Sequence, residues 1–544
     1  MKNRVFFPRG CLLVCLALLA TTPSGRAAPP TLTSLFPAGA RQGTTVEITS
    51  GGSFTNWPVQ AWTDCKGVRI EPTKEKNKFR VAVAADAEPG VCWVRLHDEQ
   101  GASELRPFII GTLPEATEIE PNDEATKPQI LAALPVIVNG RLRKASDVDC
   151  FSVRLRKDEK LVASLEANRT LGSPMDGILQ LLSAEGFVLE ENNDDHGLDP
   201  QLVFTAPKDG DYILRVFAFP SVPDASIRFA GGDTYIYRLT LTTAGFADHA
   251  FPLAVPRGVA TDVEVLGWNI PVDAKMLPVN AEVAGPASLS HRQLANTLPL
   301  LVESHRCISE REPNNSNKPQ TIALPATISG CIDPEGDLDV FEFSAKKGQR
   351  FSFQLDAFSA GSQLDPLLRL TDASGKRLAL ADDASTGKSG SRDAILTFSV
   401  PQDGSYRLVV SDRSGQGSWR HFYRLRAILA EPDYALTLAT DRFVLTPGKP
   451  LAISVAIDRR NGFGQALEII AEGLPGGVTA KPVQSTGVGS KSAALNLEAM
   501  RGPISGAIRI VGRVSGRRDL IRVASAPRIK LPQTTPHLWL TVKK

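Results

Sequence analysis

Glu118-Ile119-Glu120-Pro121-Asn122-Asp123 returns almost unchanged as Glu310-Arg311-Glu312-Pro313-Asn314-Asn315. Behind each copy the same signposts follow in the same order over about 120 residues. Asp147-Val148-Asp149 or Asp337-Leu338-Asp339 precedes a strand, and Asp176 or Asp365 precedes a Leu-rich one. Gly186 or Gly375 then marks a turn, the paired acids Asp194-Asp195 or Asp382-Asp383 follow, and Asp209-Gly210-Asp211-Tyr212 or Asp403-Gly404-Ser405-Tyr406 closes the unit. Two copies of one segment share one fold, so the repeat overrides local pattern reading. Loop lengths differ by a few residues while strands keep register, as in a β-sandwich that diverged after duplication.

At 544 residues the chain is too long for one core, and roughly three to five domains are expected. The 61 basic and 59 acidic residues nearly cancel, which argues against electrostatic binding to nucleic acid. Gly (44) and Pro (39) punctuate short Val, Ile, Leu and Phe runs, a pattern of all-β modules. Residues 1–27 read as a secretory signal peptide: Lys2, Arg4 and Arg9 precede the apolar stretch Cys11 to Ala20, and small residues lead up to Ala27. A lipid anchor is disfavoured because Val14 stands before Cys15 where a small residue is needed. No later run reaches the roughly 18 apolar residues of a membrane span. The mature chain is therefore expected to be soluble and exported, to the periplasm, the cell surface or the medium.

Five cysteines remain after cleavage, and export permits disulfides. Cys65 and Cys92 are candidates to join the two sheets of one domain. Cys307 and Cys331 are candidates to staple the entry of the second repeat, and Cys150 is left over. The alternative, that some or all are small buried residues, stays open.

Residues 28–112 alternate as an Ig-like sandwich, with Thr45-Val46-Glu47-Ile48 and Cys92-Trp93-Val94-Arg95-Leu96 among its strands. The first repeat follows over 113–244, a short Ig-like β module over 245–305, the second repeat over 306–430 and a C-terminal Ig-like sandwich over 431–544. No amphipathic helix longer than two turns is expected. The resulting picture is a string of sandwiches, all-β throughout.

The duplicated unit resembles the bacterial pre-peptidase C-terminal (PPC) domain. The resemblance rests on Glu-x-Glu-Pro-Asn-[Asp/Asn], the Asp-x-Asp before Phe151 or Phe341, the acidic turn and Asp-Gly-x-Tyr, and covers about 240 of the 544 residues. It implies two jelly-roll-like sandwiches of a kind that accompanies secreted peptidases, with calcium ligands in the acidic entry and the Asp-x-Asp. The stretch Pro30 to Gly39, with Gly43 and Gly51-Gly52-Ser53-Phe54, resembles IPT/TIG-type Ig-like domains.

The residues point to calcium independently. Glu118, Glu120 and Asn122 share parity along a chain that Pro121 keeps extended. Asp149 shares parity with Phe151, Val153 and Leu155, and Asp339 with Phe341 and Phe343. Carboxylates on a core-facing side repel one another, and a hard cation with roughly 6–8 oxygen ligands resolves the conflict. The expected ligands are Glu118, Glu120, Asn122, Asp123, Asp147 and Asp149, and Glu310, Glu312, Asn314, Asn315, Asp337 and Asp339. The bland reading is that these acids cap strands and turns. Asn315 in place of Asp123 is expected to weaken the second site, and Cys150, of opposite parity, to face outward. The acidic turns at Asp194-Asp195 and Asp382-Asp383 read as plain turn residues, and Tyr212 and Tyr406 as structural corner tyrosines.

There is no His-Glu-x-x-His, Gly-x-Ser-x-Gly, Walker loop or Cys-x-x-Cys, and the seven histidines show no ligand spacing. The leading expectation is an exported, non-catalytic, multi-domain binding or scaffold protein whose partner is an extracellular protein or polysaccharide. The alternative is an accessory or non-catalytic part of a secreted peptidase system.

Overall fold

The computed structural model describes residues 28–223, 228–383, 392–487, 489–528 and 534–544. The signal-peptide reading, with Cys11 and Cys15, falls outside these residues. The chain is nearly all β, with 54% in strands and 2% in helices, and the longest helices, Asn168–Leu171 and Val272–Lys275, have one turn each among the described residues. No helix of the described residues is long and apolar enough to cross a membrane.

The strands form a series of two-sheet sandwiches. In the first, Ser34–Phe36, Thr45–Gly51, Lys78–Val83 and Val68–Pro72 face Gly39–Arg41, Arg106–Gly111, Gly90–Asp98 and Gln60–Thr63. That is the immunoglobulin order A-B-E-D against A′-G-F-C. The last sandwich repeats this order with one further strand, and the middle one keeps only two three-stranded sheets.

Both repeats have one topology. Counting strands within a repeat in chain order, one sheet runs 1-3-10-5-8 and the other 2-4-9-6-7, identically in the two copies. Without the two short entry strands this is the two-sheet arrangement of a jelly roll. The copies share side-chain bonds as well. Ile119 and Arg311 N–H each donate to a glutamine, Gln129 and Gln320, at 2.8 Å. Tyr212 and Tyr406 hydroxyls donate to the carbonyls of Lys208 and Gln402 at 2.9 and 2.7 Å, the local corner role expected of them. The cores differ in size rather than plan: Val153, Leu161 and Ala163 of one are Phe343, Phe351 and Phe353 of the other.

The sandwiches do not lie as a loose string, because the first and last pack on each other. Arg95, fully buried, pairs with Asp441 and donates to the His537 carbonyl at 3.3 Å. Arg442 meets Glu104 at 2.9 Å, and Trp539 packs on His97 and Trp62 with ring centroids 4.5 and 6.1 Å away. The two repeats and the middle module meet at Arg420. Its guanidinium takes Asp195 with both arms at 2.9 and 2.7 Å, Asp248 through Nε at 2.8 Å, and lies over the Trp268 ring. Asp195 thus does more than shape a turn, whereas Asp382 accepts the Asp383 N–H at 2.8 Å and approaches Arg413 at 3.8 Å.

The cysteines depart from expectation in three ways. Cys65–Cys92 is a disulfide, but it ties the ends of two paired strands of one sheet rather than joining two sheets. Cys307 and Cys331 are free, because Cys307 pairs with Thr327 and Cys331 stands four residues further along that strand, about 13 Å away at strand rise. Cys150 faces the outer side of its sheet but is buried rather than exposed there, covered by Ala125, Val148, Leu182 and Ile213.

Candidate metal centre: the acidic mouths of the two repeats

Each entry segment crosses the open end of its sandwich. Burial alternates along Glu118 to Asp123, with Glu118 and Asn122 inside and Ile119 and Asp123 outside. The Glu120–Pro121 and Glu312–Pro313 peptides within these segments are cis. Parity on the following strand holds too: Asp149, Phe151, Val153 and Leu155 are buried, as are Asp339, Phe341 and Phe343.

Equivalent hydrogen bonds build the two mouths. Glu118 accepts the Arg141 N–H at 2.5 Å and Glu310 the Cys331 N–H at 2.9 Å. Asn122 and Asn314 carbonyls accept from Cys150 and Val340 at 2.9 and 2.7 Å, pinning the entry segment to the strand. Asp149 Oδ2 accepts from the Tyr237 hydroxyl at 2.5 Å, and Asp339 Oδ2 from Tyr423 at 2.6 Å. These tyrosines escape a search for acidic ligands, but Tyr237-Arg238-Leu239 and Tyr423-Arg424-Leu425 recur in the two copies and mark them. Gly140 and Gly330 lie under the rings, where an added Cβ would overlap Tyr237 or Tyr423.

Oxygens of Glu120, Asp123 and Asp147 come within 4.8 Å of one another in the first mouth, and those of Glu310, Glu312 and Asp339 in the second. Asn315 stands apart: it is exposed, and its side chain accepts from the Asn317 N–H at 3.0 Å in a local turn. Asp337 is half-buried and accepts the Asp333 N–H at 3.3 Å, whereas Asp147 is fully buried and accepts from Arg143. Burial pushes Glu118, Asp147 and Asp149 above the usual carboxylate range, and the Glu118 charge raises Asp149 further. Burial likewise raises Glu310 and Asp339, and the Asp339 charge acts on Glu310 in the same direction. Buried carboxylates under such strain take up protons or a cation.

The donor set fits a hard divalent ion, being all oxygen and of mixed charge. Buried oxygens remain without a hydrogen-bond partner at Asp147 Oδ1 in the first mouth and at Glu310 Oε2 and Asp339 Oδ1 in the second. Calcium would be held by Glu310, Glu312, Asp339 and the Asn314 carboxamide, with Asp337 at the rim. Asp64, Cys65 and Cys92 also cluster, but the two sulfurs are spent in the disulfide.

Residues 337–412, from the Asp-x-Asp of the second repeat onward, match the family model of the bacterial pre-peptidase C-terminal domain. The second repeat therefore contains a PPC domain. The chain is also 29% identical over 242 residues to a probable subtilase-type serine protease of Deinococcus radiodurans, a match over 43% of this chain and 26% of that protein. Among solved structures, the pre-peptidase C-terminal domain of a Bacillus anthracis collagenase is 18% identical, covers 20% of this chain and 92% of its own, and has a TM-score of 0.16. The insect immune protein hemolin is 9% identical, with 94% and 99% covered and a TM-score of 0.22. The PPC domain is a non-catalytic kind of domain, and this chain spans only 26% of the length of the subtilase-type relative.

Proposed function

We propose that the protein is an exported, non-catalytic scaffold of the cell surface or periplasm that works beside a secreted peptidase. Its rigid sandwiches present loops and edges to an extracellular protein or polysaccharide, and calcium at an acidic mouth stiffens the entry of a PPC module. The observation that carries the calcium reading is Asp339: fully buried, at the point where the chain enters the module, with one oxygen unpartnered. The first repeat shares the topology and bonding of the second, which supports reading it as a second PPC copy. The subtilase-type relative favours the peptidase setting, and two-sheet sandwiches of the described residues favour the scaffold role.

The test uses the mature chain. Calcium raises its melting temperature relative to chelator and protects residues 305–315 from proteolysis. Identical melting curves and digestion patterns in the two buffers refute the calcium reading. Capture of one class of protein or glycan from an array supports the scaffold role, and hydrolysis of casein or gelatin by the purified chain overturns it.

A further inference from the structure

The two mouths share their main hydrogen bonds but differ in the side chain that stands beside the entry acids. In the first, Arg143 N–H donates to Asp147, and in the second the Asp333 N–H donates to Asp337, so Arg143 and Asp333 occupy the same position. The Arg143 guanidinium reaches Glu118 at 3.3 Å and Glu120 at 3.4 Å, and Lys144 reaches Asp123 at 3.8 Å. In the second mouth Asp333 and Pro334 stand at those places. Among the described residues, Glu310, Glu312, Asp333, Asp337 and Asp339 make no ion pair with any lysine or arginine within 4.0 Å.

The asparagines tell the same difference. With its nitrogen turned inward, the Asn122 carboxamide donates to Glu120 Oε2 at 3.1 Å and Asp149 Oδ1 at 3.2 Å, so it knits the first mouth together. Asn314 is fully buried with its carboxamide close enough to Asp339 to favour that carboxylate, yet neither Oδ1 nor Nδ2 reaches full hydrogen-bond geometry. A buried carboxamide among unpaired carboxylates is costly unless something between them accepts the oxygens. Its oxygen turned toward a cation, with Glu310 and Asp339, supplies that arrangement.

We propose that Arg143, a half-exposed cation of the chain itself, stands in for the metal in the first repeat, so that divalent-ion binding is confined to the second. This rests on the calcium reading above and reverses the order expected from Asn315. Asp123, whose carboxylate gathers with those of Glu120 and Asp147, is answered by Lys144 at 3.8 Å, while among the described residues no lysine or arginine answers the acids of the second mouth.

Calorimetric titration of the mature chain with calcium chloride tests it. One equivalent binds to the wild type. Asp333→Arg, at an exposed position, places a cation as the first repeat does and weakens that binding by at least about tenfold through like-charge repulsion. Arg143→Asp opens the first mouth and raises the stoichiometry to two. Circular dichroism confirms that both variants are folded, and Arg143→Gln serves as the milder second variant. Two equivalents in the wild type overturn the inference and leave the calcium reading standing. No binding by the wild type or by Arg143→Asp overturns the calcium reading, and the inference with it.

Discussion

Replacing Arg420 with alanine removes the only guanidinium that joins both repeats to the middle module through carboxylates among the described residues. Asp195 and Asp248 stay behind with side-chain exposures of 6% and 1%. Burial alone would raise Asp248, yet the His249 hydrogen bond and the Arg420 charge outweigh it and hold the carboxyl below its usual range. Breaking a buried ion pair from one side costs about 3–5 kcal/mol, because the partner stays buried and uncompensated. Here Arg420 is itself 12% exposed, and water can follow the truncated side chain, so we expect about 3 kcal/mol. Lost packing over Trp268, 5.2 Å from the guanidinium, adds about 0.5–1 kcal/mol. Urea unfolding followed by tryptophan fluorescence reads this seam directly, since Trp268 and Trp419 both stand in it. The expected result is an earlier transition for the repeats, with the contact between the first and last sandwiches retained. A double-mutant cycle with Asp195→Asn should show coupling above about 1.5 kcal/mol. A loss below about 1 kcal/mol with no coupling, as for a surface pair, would refute the clasp.

Other outcomes follow from the same reasoning. His97, desolvated against Trp539, is lowered from 6.5 to about 4, with Asp98 opposing and Arg95 reinforcing the shift. A depressed histidine stabilises above its unfolded value and loses that contribution as pH falls through the folded one. Acidification from pH 7 to 4 should therefore cost at most about 3 kcal/mol. His97→Gln flattens the slope, and an NMR titration of His97 centred near 6.5 contradicts it. Tyr237→Phe takes the hydroxyl from Asp149 and should cost the first repeat about 1–3 kcal/mol in chemical denaturation; no change means that the carboxylate has another partner. Gly330→Ala forces a methyl into the Tyr423 ring and should destabilise the second repeat by about 1–3 kcal/mol. Gly186→Ala, at a turn with nothing within 4 Å, should cost less than Gly330→Ala, through backbone strain alone; equal losses would sink the close-approach argument.

Much of this was legible in the chain. The duplicated entry run and its ordered signposts imply one topology twice over, and the strand orders agree. Side-chain parity is a local property with a period of two, so Asp149 and Asp339 could be placed among core residues from their neighbours alone. Corner tyrosines bond within four residues of themselves, which is why Tyr212 and Tyr406 could be assigned.

What escaped was set by segments far apart in sequence. Tyr237 stands 88 residues from Asp149, and Arg420 stands 225 from Asp195. Cys150 has the outward parity of its strand but is roofed by Ala125 and Ile213, which no alternation reveals. Arg143 was read past because its charge acts only where the entry segment folds over the sheet. The amino-acid sequence alone determined the all-β class, the repeat and which acids turn inward, since each follows from local periodicity. Only the tertiary structure decided which charges meet, because that depends on how strands distant along the chain are brought side by side.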